Sequence, residues 1–343
     1  MRTCTWAPTT FQGTRIIERD AKPLSVPRGE GLIELTTKLV KHYESLGISD
    51  LLIAQRWWGT GQEIEGSSLD CLAMTALFAA CTKNMNLITA IHPGFFNPTS
   101  IAKWAATIDN LTEGRWAINV TSGWNMQEFD MYGVDKLEHD ERYQRSAEFI
   151  ELLRGAWSNE VFNYEGQYYR ADDLQLEPRP TSSLEVFQGG QSDAAIELGA
   201  KHSDWMFLNG GSLERVSSII ERVEEATRST GRKVRFAMYA APLCRNTDEE
   251  AWDEIENMLG RVDDDLVKKR KTRTSGAKGM WGDEEDPLSV LDTNEGYASR
   301  LIGSPKTILS RIHEYRKLGV EMLHLSLQDE FFNQSVLPEL LEI

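Results

Sequence analysis

Short apolar runs rich in β-branched and aromatic residues alternate with longer amphipathic segments along the chain, which predicts an α/β fold with a parallel sheet. Thr3–Pro8 reads as the first strand. Gly31–Leu46 places Leu32, Leu35, Leu39 and Val40 at helical spacing, and Gly47 ends that helix. Further strands are expected at Leu51–Ala54, Asn86–Ile91, Arg115–Thr121, Glu185–Gln188, Trp205–Leu208, Val234–Cys244 and Met322–Leu325. Helices are expected between them at Leu69–Cys81, Pro98–Ile108, Glu138–Trp157, Ser192–Ala200, Leu213–Thr230, Asp248–Leu259 and Pro305–Leu318. Eight such alternations without a linker between halves predict one TIM (β/α)8 barrel over residues 1–343.

Two insertions interrupt the pattern. The first, about 162–180, is rich in Tyr, Asp and Pro and reads as a hairpin turning at Glu165-Gly166. The second, about 260–303, opens on the basic run Lys268–Arg273 and continues through Gly276 and Gly279 into an acidic stretch. Long loops of this composition are either lids or without fixed structure. Its place after the seventh strand, on the face where barrel sites lie, favours a mobile lid.

Composition excludes more than it selects. A formal net charge of −16 argues against nucleic acid, whose phosphates attract basic surfaces. The hydrophobic fraction of 41% suits a large soluble core. No apolar run is long enough for a membrane span, and Met1–Trp6 lacks the apolar stretch of a signal peptide, so a cytoplasmic protein is expected. Cys4, Cys71, Cys81 and Cys244 are scattered, as reduced core residues would be, and form no zinc clamp.

Three segments carry candidate chemistry. Gly189-Gly190-Gln191-Ser192 puts two glycines between a strand and a helix, so that backbone N–H groups and a hydroxyl meet whatever binds there. Such a helix start is a phosphate site or an ordinary strand-to-helix turn. In Glu138–Tyr143, Arg142 offers a fork for a phosphate and Tyr143 a hydroxyl, unless both simply belong to a solvated helix face. His139 is a candidate acid or base, or a structural histidine. Asn119 is polar within a β-rich strand and needs a partner, from a ligand or a neighbouring loop.

Read together, Ala105–Trp124, His139–Tyr143 with Phe149-Ile150, and Phe187–Ser192 with Asp204 resemble the luciferase-like flavin monooxygenases. The resemblance is to the branch of alkanesulfonate, dimethyl sulfone and pyrimidine monooxygenases, and extends more loosely over Gly303–Gly319. It implies a barrel binding FMN at the C-terminal ends of its strands, with reduced FMN delivered by a separate NAD(P)H-dependent reductase. A small organic substrate is then oxygenated with dioxygen through a (hydro)peroxyflavin. By position, the resemblance puts Gln55, Arg56, Asn119 and Glu128 at the flavin, and Arg142, Tyr143, Gly190, Gln191 and Ser192 around its phosphate. It also implies a homodimer or homotetramer. Alternatives on the same fold are a deazaflavin-dependent oxidoreductase and a non-catalytic flavin-binding protein.

One departure bears on the substrate. Alkanesulfonate monooxygenases resemble this chain but carry an Arg-x-His pair where it reads Tyr239-Ala240-Ala241. Without that cation a sulfonate loses its expected partner, which turns the expectation toward a sulfone, a pyrimidine or another neutral or aromatic compound. Trp57, Trp58 and Trp124, with Phe95 and Phe96, are expected to make an aromatic mouth, unless they are core. Tyr239 and the lid residue Arg273 are expected on the substrate side. His92, at the end of the third strand, joins His139 as a candidate for proton transfer.

Overall fold

The computed structural model describes residues 1–11, 16–17, 25–57, 67–274 and 286–342, with the backbone alone at Arg273 and Thr274. Eight parallel strands close into a barrel: β1 (Arg2–Trp6), β2 (Asp50–Ile53), β3 (Asn86–Ile91), β4 (Trp116–Val120), β5 (Val186–Gly189), β6 (Trp205–Leu208), β7 (Arg235–Ala240) and β8 (Val320–Leu325). Each strand hydrogen-bonds to its neighbours in chain order, and β8 closes on β1 through Cys4 opposite His324. Helices α1 (Glu30–Ser45), α2 (Cys71–Cys81), α3 (Pro98–Thr112), α4 (His139–Ser158), α5 (Asp193–His202), α6 (Leu213–Thr227), α7 (Asp248–Leu259), α8 (Asp264–Thr274) and α9 (Pro305–Leu318) accompany them.

Local chemistry accounts for most helix ends. Asp70, Asn97, Ser192, Ser212 and Thr247 each accept a backbone N–H in the first turn of their helix, satisfying donors the helix leaves open. Pro98 and Pro305 begin α3 and α9 where no N–H is needed. Gly319, with φ 107°, ends α9 in the left-handed region.

Side chains of the strands divide by alternation. One set packs outward against the helices. The other fills the barrel with a plug of Cys4, Leu52, Ile88, Ala117, Phe187, Trp205, Ala237 and Met322, one from each strand. Phe187 and Trp205 stack there with centroids 5.4 Å apart, closing the interior. The barrel is therefore a packed core with its opening at the C-terminal strand ends.

Two expected segments take a different form. Val234–Cys244 is not one strand: β7 ends at Ala240, and Leu243–Cys244 pairs outside the barrel with Ile302–Gly303. Pro242 between them has no N–H to continue the ladder. In the second insertion, Lys268–Arg273 lies within helix α8. Its Arg270 is buried and donates to the carbonyls of Thr293 (2.9 Å) and Val290 (3.5 Å), so that cation faces the protein. Gly276, Gly279 and the start of the acidic stretch lie outside the described residues. The first insertion is an antiparallel pair, Phe162–Glu165 with Arg170–Leu174, held on α4 by Glu148, which accepts the N–H groups of Gln167, Tyr168 and Tyr169.

Candidate active site

Moving two residues toward the C-terminal end from each plug residue gives the layer above it: Trp6, Ala54, Ala90, Asn119, Gly189, Phe207, Tyr239 and His324. All eight line one cleft. A further step of two brings Arg56, His92, Thr121, Gln191 and Asn209, which line it as well. The cleft encloses about 1110 Å³ of space between protein atoms, its mouth included. Arg142 and Tyr143 enter from α4, and Asn294 from the second insertion.

The β5–α5 turn shows why glycine is needed. Gly190 has φ 121°, and a Cβ there would fall 2.8 Å from the Tyr143 hydroxyl and 2.9 Å from the Ala195 Cβ. The Tyr143 hydroxyl lies near the Ser192 side chain, whose oxygen accepts the Ala195 N–H as the cap of α5. Ser192 thus stands at the helix start rather than on the cleft wall. Gln191 is fixed by Arg215, whose Nη2 donates to Oε1 at 3.1 Å while its Nη1 pairs with the buried Glu295 at 2.7 Å. That pair ties the phosphate-type turn to the second insertion.

Several cleft groups lack partners among the described residues: Oδ1 of Asn119, Nε of Arg142, Nδ1 of His92 and Nε2 of His324. Buried polar atoms are normally hydrogen-bonded, so a set of orphans round one cavity points to a ligand that completes them. Arg142 is held from behind, its Nη1 donating to the Leu137 carbonyl at 2.9 Å. Burial pushes its pKa down, and the group remains a cation in the cleft that the glycine turn also lines. An open helix start, a buried guanidinium and a tyrosine hydroxyl together fit a phosphate-bearing ligand.

The predicted residues divide into those on the cleft and those behind it. Gln55, Arg56, Asn119, Trp124, His139, Arg142, Tyr143, Gly190, Gln191, Tyr239 and His92 line it. Arg56 lies 5.3 Å from the Trp124 ring centre, and Gln55 accepts the Cys71 N–H at 2.9 Å. Glu128 and Trp57 stand behind the wall. The Glu128 carboxylate accepts the Trp57 backbone N–H at 3.1 Å, and the Trp57 ring stacks on Phe95 at 4.2 Å. Trp58 lies outside the described residues, as does the side chain of Arg273. Sequence reasoning missed Trp6, Phe207, Asn209, Asn294 and His324. The parity of their strand positions relative to the plug would have found the residues on β1, β6 and β8.

Burial, with the nearby Arg56 charge, pushes His92 down to about 3, and burial alone does the same for His324. Both rings are neutral at physiological pH. An unfolded histidine takes its proton near pH 6.5, so between about 6.5 and about 3 the unfolded chain binds more protons than the fold. Stability is therefore full above about pH 6.5 and declines as pH falls toward 3. Thermal unfolding at pH 7, 6 and 5 should show a falling midpoint; a flat profile would mean that both rings are hydrated. His139 has Nδ1 2.6 Å from Asp140 Oδ1 at the cleft edge.

Among the described residues no cluster of three His, Cys, Asp or Glu side chains could hold a metal ion. None of their helices is long and apolar enough to cross a membrane.

The family profile described as Luciferase-like monooxygenase matches residues 24–322. The chain is 36% identical over 326 residues to an FMNH(2)-dependent dimethylsulfone monooxygenase of Pseudomonas fluorescens (strain Pf0-1), covering 91% of this chain and 88% of the relative. It is also 36% identical over 281 residues to an FMNH(2)-dependent dimethylsulfone monooxygenase of Pseudomonas putida, covering 78% and 77%. Among solved structures, a riboflavin lyase with modified FMN and riboflavin superposes with a TM-score of 0.79 at 19% identity. That match covers 100% of this chain and 91% of the other and carries the fold alone.

Proposed function

Since the chain belongs to the luciferase-like monooxygenase family, we propose that it oxygenates a small neutral sulfone, dimethyl sulfone or a close analogue, with reduced FMN and dioxygen. It is a flavin-dependent monooxygenase. The observation that carries the substrate is the 36% identity to dimethylsulfone monooxygenases over 91% of the chain. The residues that β1, β6, β7 and β8 present to the cleft, Trp6, Phe207, Tyr239 and His324, are neutral and support it, because a sulfonate would meet no cation on that wall.

Arg142, Tyr143, the Gly190-Gln191 backbone and the start of α5 would hold the FMN phosphate, with Ser192 fixing the helix start. Asn119 would meet the flavin ring. Bound reduced FMN would supply the activation of dioxygen. The protein's own work is to orient the two partners and keep bulk water from the reacting atoms. His92 and His324, being neutral, offer an N–H or a lone pair to substrate without bringing a charge. His139, with Asp140 at Nδ1, would be the group that passes a proton at the cleft edge. A separate flavin reductase as transient partner, a homodimer or homotetramer and a cytoplasmic location belong to the same reading.

The test couples the protein to an NAD(P)H-dependent flavin reductase and follows dimethyl sulfone by proton NMR together with hydrogen peroxide release. Sulfone loss that requires the protein is expected, with less hydrogen peroxide released per NAD(P)H, because one dioxygen per reduced FMN is taken up in either case and is released as peroxide only when no substrate is oxygenated. If peroxide release is unchanged by the sulfone and the sulfone persists, the substrate assignment is wrong.

A further inference from the structure

The layer above the plug is uneven. On β2, β3 and β5 it holds Ala54, Ala90 and Gly189, which leave space. On β1, β8, β7 and β6 it holds Trp6, His324, Tyr239 and Phe207, which form a continuous wall. His324 sits at the centre of that wall. Its ring centre lies 4.4 Å from that of Trp6, 5.2 Å from Tyr239 and 5.5 Å from Phe207. The residue is 2% exposed, and its Nε2 has no partner among the described residues.

A histidine placed among three aromatic rings on a barrel strand has a costly position. A phenylalanine would pack the same space without an unsatisfied nitrogen. The side chain does line the cleft, so a ligand there can supply the missing partner. The charged groups among the described lining residues, Arg56 and Arg142, enter from the β2 loop and from α4, and His139 from the start of α4. None belongs to the strands of this wall. A ligand seated against His324 is therefore selected for neutrality and for one polar atom within an otherwise apolar body.

We propose that His324 is the substrate-recognition residue of this cleft, its ring donating an N–H to an oxygen of a small neutral substrate held against Trp6, Tyr239 and Phe207. This deepens the monooxygenase reading and rests on it for the choice of a sulfone as probe. Burial that keeps the imidazole neutral gives it one N–H and one lone pair, the N–H serving an acceptor oxygen. An anionic sulfonate would lose its hydration against this wall and find no cation in return.

Two variants and two ligands separate recognition from structure. His324→Phe keeps the ring in the wall and removes both nitrogens. His324→Gln restores an N–H near the position of Nε2. Ligand-detected NMR on the protein with oxidised FMN reads sulfone binding without any turnover. Dimethyl sulfone should bind the parent protein and methanesulfonate should not. His324→Phe should weaken sulfone binding about tenfold, His324→Gln should recover part of that loss, and FMN affinity should stay within about twofold in both. In coupled turnover the loss should fall on KM rather than kcat.

Equal sulfone binding by His324→Phe overturns the proposal, and so does preferential binding of methanesulfonate. A parent protein that binds FMN but no sulfone overturns it too. If the sulfone binds in the expected pattern but is not consumed, the recognition role stands and the sulfone monooxygenase assignment fails.

Discussion

Replacing Arg142 with alanine is expected to weaken FMN binding by about 1.5–3 kcal/mol, or roughly ten- to 150-fold in Kd. The guanidinium is buried and lines the same cleft as Gly190, with Nη1 on the Leu137 carbonyl and Nε without a partner among the described residues. A cation fixed from behind with an open donor loses little freedom when a phosphate arrives, which raises its contribution above that of a surface arginine. Arg142→Lys should fall between the two, because an ammonium keeps the charge and lacks the fork. Quenching of FMN fluorescence measures the affinity. Riboflavin, which lacks the phosphate, provides the control: its affinity should not change between parent and Arg142→Ala. An unchanged FMN dissociation constant removes Arg142 from the phosphate site, and an equal loss for riboflavin makes the defect structural.

How far this site was legible depended on whether each residue's position follows from local pattern. Asn86–Ile91, Trp205–Leu208, Asp248–Leu259 and Pro305–Leu318 were expected at their observed bounds, because buried parallel strands and capped helices carry their own signals. Gly190 and Arg142 were legible for the same reason: a glycine pair opening a helix and a basic residue in a first turn are local features. His324, Trp6 and Phe207 were not. Each stands on an expected strand, yet whether it faces the cleft or a helix depends on one residue of register, which tertiary pairing decides. Trp57 and Glu128 show the converse. Both come from segments beside the site, but a backbone hydrogen bond between them and the stack on Phe95 turn them into support for the wall. Asn294 lies in a long insertion with no periodic pattern. The 292–297 turn that presents it is clasped by Asp292, which accepts the N–H groups of Asn294, Gly296 and Tyr297.

At the opposite end of the barrel, Asp50→Ala is expected to lower the unfolding free energy by about 3–5 kcal/mol. Asp50 opens β2 with a side chain that is 0% exposed, bonded to both Arg2 nitrogens that face it, to Ser49 Oγ at 2.7 Å and to Asn86 Nδ2 at 3.3 Å. Arg2 continues to Glu185 Oε2 at 3.1 Å, and Arg235 reaches Glu185 Oε1 at 2.6 Å, so the network links strands around the floor. Both guanidinium groups also lie over Trp205, at 4.9 Å and 4.2 Å from its centre. Removing Asp50 leaves Arg2 half-buried without its closest anion and takes an acceptor from Asn86, while Ser49 Oγ keeps the Thr3 carbonyl at 2.8 Å; the unpaired cation is the costly half of breaking a buried pair. Asp50→Asn should cost less, since it keeps an oxygen for those donors. Glu185→Gln should cost less again, under about 1 kcal/mol, because that carboxylate is about one-third exposed and solvent screens it. Urea denaturation ranks the three. FMN affinity of the folded fraction should not move in any of them, since the plug of Phe187, Trp205 and Met322 separates the floor from the cleft. A loss of FMN binding that follows the loss of stability would show that floor and mouth are one cooperative unit, and the stable base would then belong to the site as well as to the fold.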